Sequence, residues 1–460
     1  MYEIKVEEMG VIMEKQGLKL KEKTKSVTLK FSVARKGKGF LQAKESLNCC
    51  CLDGAIRTLP GLAGMMGDGG SAVYFGMSGL LDMVITYVLN SDNKTYAKRM
   101  IYVLQTGMAY LQERTSNTYA FLTHAGAKVF SFSFMGKDGR FWTAILGQMN
   151  MILVNDNYLC TSLGLMTQYG AGCFYKNRLF VGIKPFTMAY SAPEEPTNFT
   201  ESVDGGGRIR FTDGRGEILA ILPFKDALYV FFERGIARVD VVGAPKDFKV
   251  TYLEYTGGTI LFRTVGACES AIFFMTTDGL YRFDGEKAEL ILQDTVVSPI
   301  SASGWESTIA WNDGVLMRYR KRTEGNVVLA ISSDGKECSY LEDLEGMSSD
   351  RKDGVLFRNV AEIGKLDVNG KELGRTCRFN AETDFEYRGR KTLRKLSFTG
   401  EGTFNLTLKN DGRTVQKTVS FQDGVATVKL SERGDRYAMN IEPMGKTVIE
   451  EVTAGFSVLG

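Results

Sequence analysis

Short runs of β-branched and aromatic residues, divided by polar turns, recur from one end of the chain to the other. Met149-Asn150-Met151-Ile152-Leu153-Val154, Asn177-Arg178-Leu179-Phe180-Val181 and Ala271-Ile272-Phe273-Phe274-Met275 are three of them. Runs of this length and composition predict strands rather than helices. The clearest unit is Ile218 to Val239, which reads strand, turn at Lys225-Asp226, strand, turn at Arg234-Gly235, strand. Its apolar residues are almost uninterrupted, which predicts strands covered on both faces. Twelve Asp-Gly dipeptides punctuate the chain, among them Asp138-Gly139, Asp278-Gly279, Asp411-Gly412 and Asp423-Gly424. Gly has no Cβ and Asp bonds its own backbone, so the pair accepts the positive φ of a tight hairpin. Antiparallel sheet throughout, an all-β chain, is the expectation.

The spacing of the runs narrows the architecture. From about residue 60 to 375 successive strand pairs mostly start about 40–50 residues apart, the length of one four-stranded propeller blade. A β-propeller of about six or seven blades is expected over residues 39–375. After Thr376 the alternation becomes cleaner. Phe404, Leu406 and Leu408 share one face, Asn410-Asp411-Gly412 turns the chain, and Tyr437, Met439 and Ile441 alternate again. One wet and one buried face predict a small antiparallel β-sandwich over 376–460. Residues 1–38 stand apart, with ten Lys/Arg against five Glu and alternation from Val27 to Val33. They read as an N-terminal arm with basic strands: either a lysine-guarded edge strand or an arm that pairs elsewhere.

Composition narrows the chemistry. Net charge over 460 residues is +3, so the chain as a whole is no polyanion binder. Ala72 to Leu89 is strongly apolar but carries Asp82, Gly76 and Gly79, and reads as a core hairpin rather than a membrane span. The N-terminus has early acids and no apolar h-region, which argues against a signal peptide. Eight cysteines and a single histidine, His124, show no metal-ligand spacing. The cysteines are expected as reduced thiols packed as small hydrophobes in a protein that folds in a cytoplasm. No metal and no cofactor is expected.

Several segments resemble one family. Leu47-Asn48 with Leu52-Asp53-Gly54-Ala55-Ile56-Arg57-Thr58-Leu59-Pro60-Gly61 resembles the opening of bacteriophage tail and head–tail junction propeller proteins. Tyr175-Lys176-Asn177-Arg178-Leu179-Phe180-Val181, followed by Ala189-Tyr190-Ser191-Ala192-Pro193 and Pro196-Thr197-Asn198-Phe199, is similar to one of their blades. Ile218–Val239 is similar to another, and Gly400-Glu401-Gly402-Thr403 to a turn of their terminal sandwich. The resemblance implies a non-enzymatic virion protein of the tail, connector or nozzle. It implies a homo-oligomeric ring, often six-fold, that touches other virion proteins and DNA in transit, assembled in the host cytoplasm.

The remaining signals are alternatives to that reading. Arg318, Arg320, Lys321 and Arg322 gather on one hairpin, and Arg388, Arg390, Lys391, Arg394 and Lys395 on another segment. They are candidate contacts to DNA or a partner, or else ordinary solvated faces. A lectin-like or receptor-binding propeller at a tail tip is a second reading, and a sialidase-like glycoside hydrolase a third. The adjacent acids Glu194-Glu195 and Glu450-Glu451 would point to opposite faces of a strand. Ser332-Ser333-Asp334-Gly335-Lys336 only loosely resembles a sialidase turn. Asp204-Gly205-Gly206-Gly207-Arg208 is Gly-rich but has no phosphate-loop Lys-Ser/Thr. No catalytic residue is expected.

Overall fold

The computed structural model describes residues 22–459 apart from internal stretches, of which 65–79, 113–118, 164–168, 297–305 and 367–376 are the longest. The arm before Glu22, the Ala72–Gly79 half of the apolar stretch and Arg322 lie outside the described residues. The described chain is strand throughout, with one 3-10 turn at Pro245–Asp247. No helix among the described residues is long and apolar enough to cross a membrane.

Seven four-stranded antiparallel sheets follow one another along the chain. We number them I to VII, with first strands Leu80–Leu89, Phe130–Met135, Tyr169–Tyr175, Ile218–Phe224, Gly266–Ala267, Ser307–Trp311 and Gly346–Asp350. Each first strand neighbours the next in this order, and that of sheet VII returns against that of sheet I. This closed ring of inner strands is a β-propeller, and the ring has seven members. Sheet VII is completed by the early strand Leu62–Gly64, whose residues pair with Leu366, Lys365 and Gly364. The chain therefore closes its own ring with a strand from its beginning.

The apolar runs explain why the sheets stack. Ala227–Phe232, the second strand of sheet IV, is buried at every position. Side chains alternate across a strand. Val230 and Phe232 accordingly join a core with Phe180, Met188 and Phe211 of sheet III and its following loop. Tyr229 and Phe231 face the other way, into a core with Ile272, Phe274 and Phe283 of sheet V. Equivalent layers lie between sheets I and II, around Ile101, Val103 and Ile152, and between II and III, around Leu153, Leu179 and Val181. A single sheet has two apolar faces and buries neither alone, so the repeat folds only as a stack.

The chain divides into two compact units: residues 62–328 with 343–366, and residues 1–61 with 329–342 and 367–460. The first holds the ring of inner strands. The second is built on a nine-stranded sheet. Its two longest strands, Lys391–Asn410 and Tyr437–Leu459, pair with each other through two successive halves. Thr392–Thr399 lies against Ser457–Glu451 on one side and Val425–Gly434 on the other. Thr403–Lys409 lies against Met444–Ala438 and Arg413–Ser420. Bulges at Gly400 and Gly402 separate the halves. Gly400 has φ +145°, and a Cβ there would stand 2.0 Å from the Val448 carbonyl oxygen, so glycine is required.

The C-terminal strands thus belong to one continuous bent sheet, where a sandwich of separate sheets was expected. The alternation of Phe404, Leu406 and Leu408 is real, and all three are buried. It reports one covered face, which does not by itself tell one sheet from two. The sheet also recruits the start of the chain. Glu22–Ser32 pairs antiparallel with Leu459–Glu451 and parallel with Phe40–Gln42, while Phe40–Leu47 pairs with Arg378–Thr383. Leu29 and Phe31 are buried there, and the Phe31 ring meets Phe379 edge-on at 5.4 Å. From Glu22 onward the expected arm is therefore a strand of its own chain's sheet, paired along Glu22–Lys30 with Leu459–Glu451 and only at Lys30–Ser32 with Phe40–Gln42.

Candidate functional site

Among the described residues an ion pair, Arg263 with Asp82, crosses the ring. Arg263 precedes the inner strand of sheet V, and Asp82 lies on the inner strand of sheet I. Around the ring, sheet V stands three places from sheet I (VI, VII, I) and three from sheet II (IV, III, II). Arg263 nevertheless donates Nη2 to Asp82 Oδ1 at 2.6 Å. Its Nη1 donates to the carbonyls of Val129 and Leu81 at 3.1 and 3.3 Å. Ser131 Oγ donates to the other Asp82 oxygen at 2.6 Å. The two charged side chains are only 8% and 5% exposed.

The local chain is shaped for this reach. Arg263 has φ +63°, a left-handed conformation uncommon for a non-glycine residue. Thr264 holds the turn by donating Oγ1 to the Leu261 carbonyl at 2.7 Å, and its backbone oxygen accepts from Thr308 at 2.8 Å. The guanidinium meets a carboxylate and two carbonyls, and the carboxylate meets a guanidinium and a hydroxyl. The polar groups gathered around Arg263 and Asp82 are thus spent on one another.

Away from the axis, one face of the ring carries both a series of clasps and a set of exposed apolar residues. The turn after the first strand of one sheet reaches the last connection of the next. Lys137 of sheet II pairs with Glu194 of sheet III at 2.5 Å. Lys176 of sheet III donates to the Val241 carbonyl of sheet IV at 2.8 Å, and Lys225 of sheet IV to the Asp284 carbonyl of sheet V at 2.6 Å. First and third connections of an antiparallel four-stranded sheet emerge on the same edge. Met135, Leu159, Val203 and Val242 sit at or beside such connections in sheets II to IV and are 55%, 65%, 75% and 63% exposed.

The residues singled out in the sequence are dispersed. Arg318 is buried, Arg320 is exposed, and Lys321 ends the strand Gly314–Lys321. In the second unit Arg388, Arg390, Arg394 and Lys395 are exposed. A bulge between Leu393 and Lys395 puts two consecutive residues on the wet side. Lys391 is buried instead. Its Nζ donates to the carbonyls of Tyr387 and Asp435, both at 2.9 Å, among the rings of Tyr387, Tyr437 and Phe456. Burial pulls its pKa down, and nearby Asp384 and Asp435 oppose the shift. It is an internal anchor, while its sequence neighbours Arg388, Arg390, Arg394 and Lys395 are exposed.

Other candidates have structural roles. Arg178 is buried and donates to the carbonyls of Ser191, Gly205 and Asp204, so the Gly-rich loop faces a guanidinium. Glu195 accepts from Asn198 Nδ2 at 2.7 Å. Ser332 Oγ donates to Asp334 Oδ1 at 2.7 Å within a turn. His124 ends the outer strand of sheet I and is exposed. Cys49, Cys51, Cys338 and Cys377 are buried in the second unit, with Cys377 Sγ 3.3 Å from the Asn48 carbonyl. A hydrogen bond with Cys377, then burial, pushes the Cys49 thiol well up. No cluster of three or more metal-ligating side chains occurs among the described residues.

No family profile matches the chain, and no curated protein does. Solved structures share its fold at low identity. A streptogramin B lyase is 13% identical with a TM-score of 0.44, covering 65% of this chain and 96% of that one. BamB from Moraxella catarrhalis is 10% identical with a TM-score of 0.40, covering 72% and 99%. The extracellular domain of a one-component system from B. thetaiotaomicron, BT4673, is 10% identical with a TM-score of 0.43, covering 90% and 63%. These are likenesses of propeller architecture alone.

Proposed function

We propose that this chain is a non-enzymatic assembly protein, a propeller that works by presenting surfaces to other copies and other proteins. The observation that carries this reading is the row of exposed apolar side chains, Met135, Leu159, Val203 and Val242, on one face of sheets II to IV. Apolar side chains grouped on one face mark protein contact sites. The clasps between neighbouring turns stiffen the same face, which lowers the ordering cost of binding. The sequence resemblance supplies the finer reading: a bacteriophage virion component of the tail, connector or nozzle, assembled as a ring.

Native mass spectrometry and light scattering of the purified chain test this. A ring oligomer is expected, and Leu159→Asp with Val203→Asp should return monomers with an unchanged melting temperature. A wild-type chain that stays monomeric at all concentrations, or a double variant that still assembles, overturns the proposed contact face.

A further inference from the structure

Two buried thiols of the second unit, Cys49 and Cys377, are in contact. Cys49 follows the strand Phe40–Leu47, and Cys377 precedes the strand Arg378–Thr383. Those strands run antiparallel and end with Leu47 opposite Arg378, so the two cysteines lie just past the last paired rung. Asn48, at φ +53°, turns the chain between that rung and Cys49. The Cys49 thiol hydrogen-bonds to Cys377, whose Sγ donates in turn to the Asn48 carbonyl at 3.3 Å. Both are free thiols. A disulfide joins Cα atoms about 4.4–6.8 Å apart, which is the spacing of residues that face one another across a sheet. A bond between these neighbours suits the geometry the strands already impose.

Their place in the sequence gives such a bond a consequence. Cys49 stands shortly before Leu62–Gly64, the first strand of the ring in chain order, and Cys377 shortly after Glu362–Leu366, the last. All seven four-stranded sheets lie between them along the chain. The circle is completed by backbone pairing of Leu62–Gly64 with Leu366–Gly364. A bond from Cys49 to Cys377 tethers the chain on both sides of that closure and places the whole ring inside one covalent loop. Cross-links that close long loops restrict the unfolded chain most.

We infer that Cys49 and Cys377 are an oxidisable pair, a covalent lock on the propeller that is open in the reduced chain and closed by a peroxide. Cys377 keeps slight contact with solvent, at 7%, and Cys49 has none. The Cys377 sulfur attacks the peroxide, takes one oxygen as a sulfenic acid and releases one water. The Cys49 sulfur then attacks the Cys377 sulfur. The S–S bond forms, the S–O bond breaks, and hydroxide leaves with the Cys49 proton as a second water. Two thiols lose two electrons and two protons, and one peroxide becomes two waters. Burial makes both steps slow, so the chain folds before the lock sets. The inference does not depend on the assembly reading.

Peptide mapping without reductant tests it, on the intact chain purified under reductant and again after exposure to hydrogen peroxide. A peptide bridged from Cys49 to Cys377 is expected only after oxidation, with fragmentation placing the bridge within Cys49-Cys50-Cys51. The oxidised chain should melt about 5 °C or more above the reduced one, and dithiothreitol should remove the gain. Cys377→Ala should form no such bridge and gain nothing from peroxide. Mapping of the wild type decides the matter even where that variant folds poorly. Absence of the bridge overturns the inference. So does a bridge from Cys377 to Cys50 or Cys51, a bridge to Cys338, or an oxidised chain that melts no higher than the reduced one.

Discussion

Arg263 and Asp82 meet at 2.6 Å although they are 181 positions apart in the chain and stand half the circumference of the ring from one another. The contact ties sheet V to sheets I and II through the centre. The other inter-sheet ties described above pass between neighbours, so the Arg263 contacts are the ones that span the circle.

Removing one partner should therefore destabilise strongly. Arg263→Met leaves a buried carboxylate with only Ser131, and Asp82→Leu leaves a buried guanidinium. Each is expected to cost about 3–5 kcal/mol. The double variant should cost much less than the sum, since neither charge is left alone. Urea unfolding of the two single variants and the double variant checks this. Additive losses would mean that the pair does not couple the sheets.

Glu337 sets a pH dependence in the second unit. It is buried, accepts from Ser32 Oγ at 2.9 Å, and pairs with Arg35 at 2.8 Å. Burial pushes its carboxyl up, while Ser32 and Arg35 oppose the shift. The folded state then holds its proton to higher pH than the unfolded chain does. Stability contributed at this site is present below the unfolded pKa and falls as pH rises through the folded one. Relative to Glu337→Gln, the wild type should lose stability between its ordinary carboxylate range and neutrality. Parallel melts across pH 4 to 7 (about the span in which such groups titrate) measure it, and a flat difference would refute it.

Two glycines with positive φ should behave differently. Gly400→Ala forces a Cβ to 2.0 Å from the Val448 oxygen at φ +145°, whereas Gly412, at φ +86° in the Asp411-Gly412 turn, has nothing within 4 Å of its Cβ position. Gly412→Ala is expected to cost about 1 kcal/mol of backbone strain, and Gly400→Ala well above the ~1–3 kcal/mol typical of strain alone. Thermal melts compare them directly. Equal costs would show that the bend yields to a side chain.

Phe231 and Phe232 are adjacent in sequence and serve different cores. Phe231 packs on Phe274 and Phe283, and Phe232 on Phe211. Truncating either to Ala is expected to cost about 3–5 kcal/mol. The two losses should add, because the side chains share no partner. Chemical denaturation of the single and double variants reads this out, and a large coupling term would contradict the alternation.

The local pattern along the chain determined the strands, the hairpins and the repeat. Asp411 and Asp423 take φ +33° and +49° beside Gly412 and Gly424, as the dipeptide requires. Ala227–Phe232 is covered on both faces, as its unbroken apolar run demands. These features rest on neighbours a few residues away, so turn chemistry and side-chain period encode them. Tertiary structure alone decided how the circle closes. Nothing in Leu62-Ala63-Gly64 marks it as the partner of residues some 300 positions later, because any strand edge offers the same backbone donors and acceptors. The same holds for Glu22–Ser32: its lysines and alternation read equally as an edge strand or as an arm that pairs elsewhere, and its partner Leu459–Glu451 lies at the far end of the chain. Asp82 was visible as a charge in an apolar stretch, but Arg263 was not singled out, since a pair across a ring has no sequence spacing to betray it. Lys391 reads as one more member of a basic run. Only the aromatic rings folded around it make it an internal residue, while Arg394 and Lys395 stay in water.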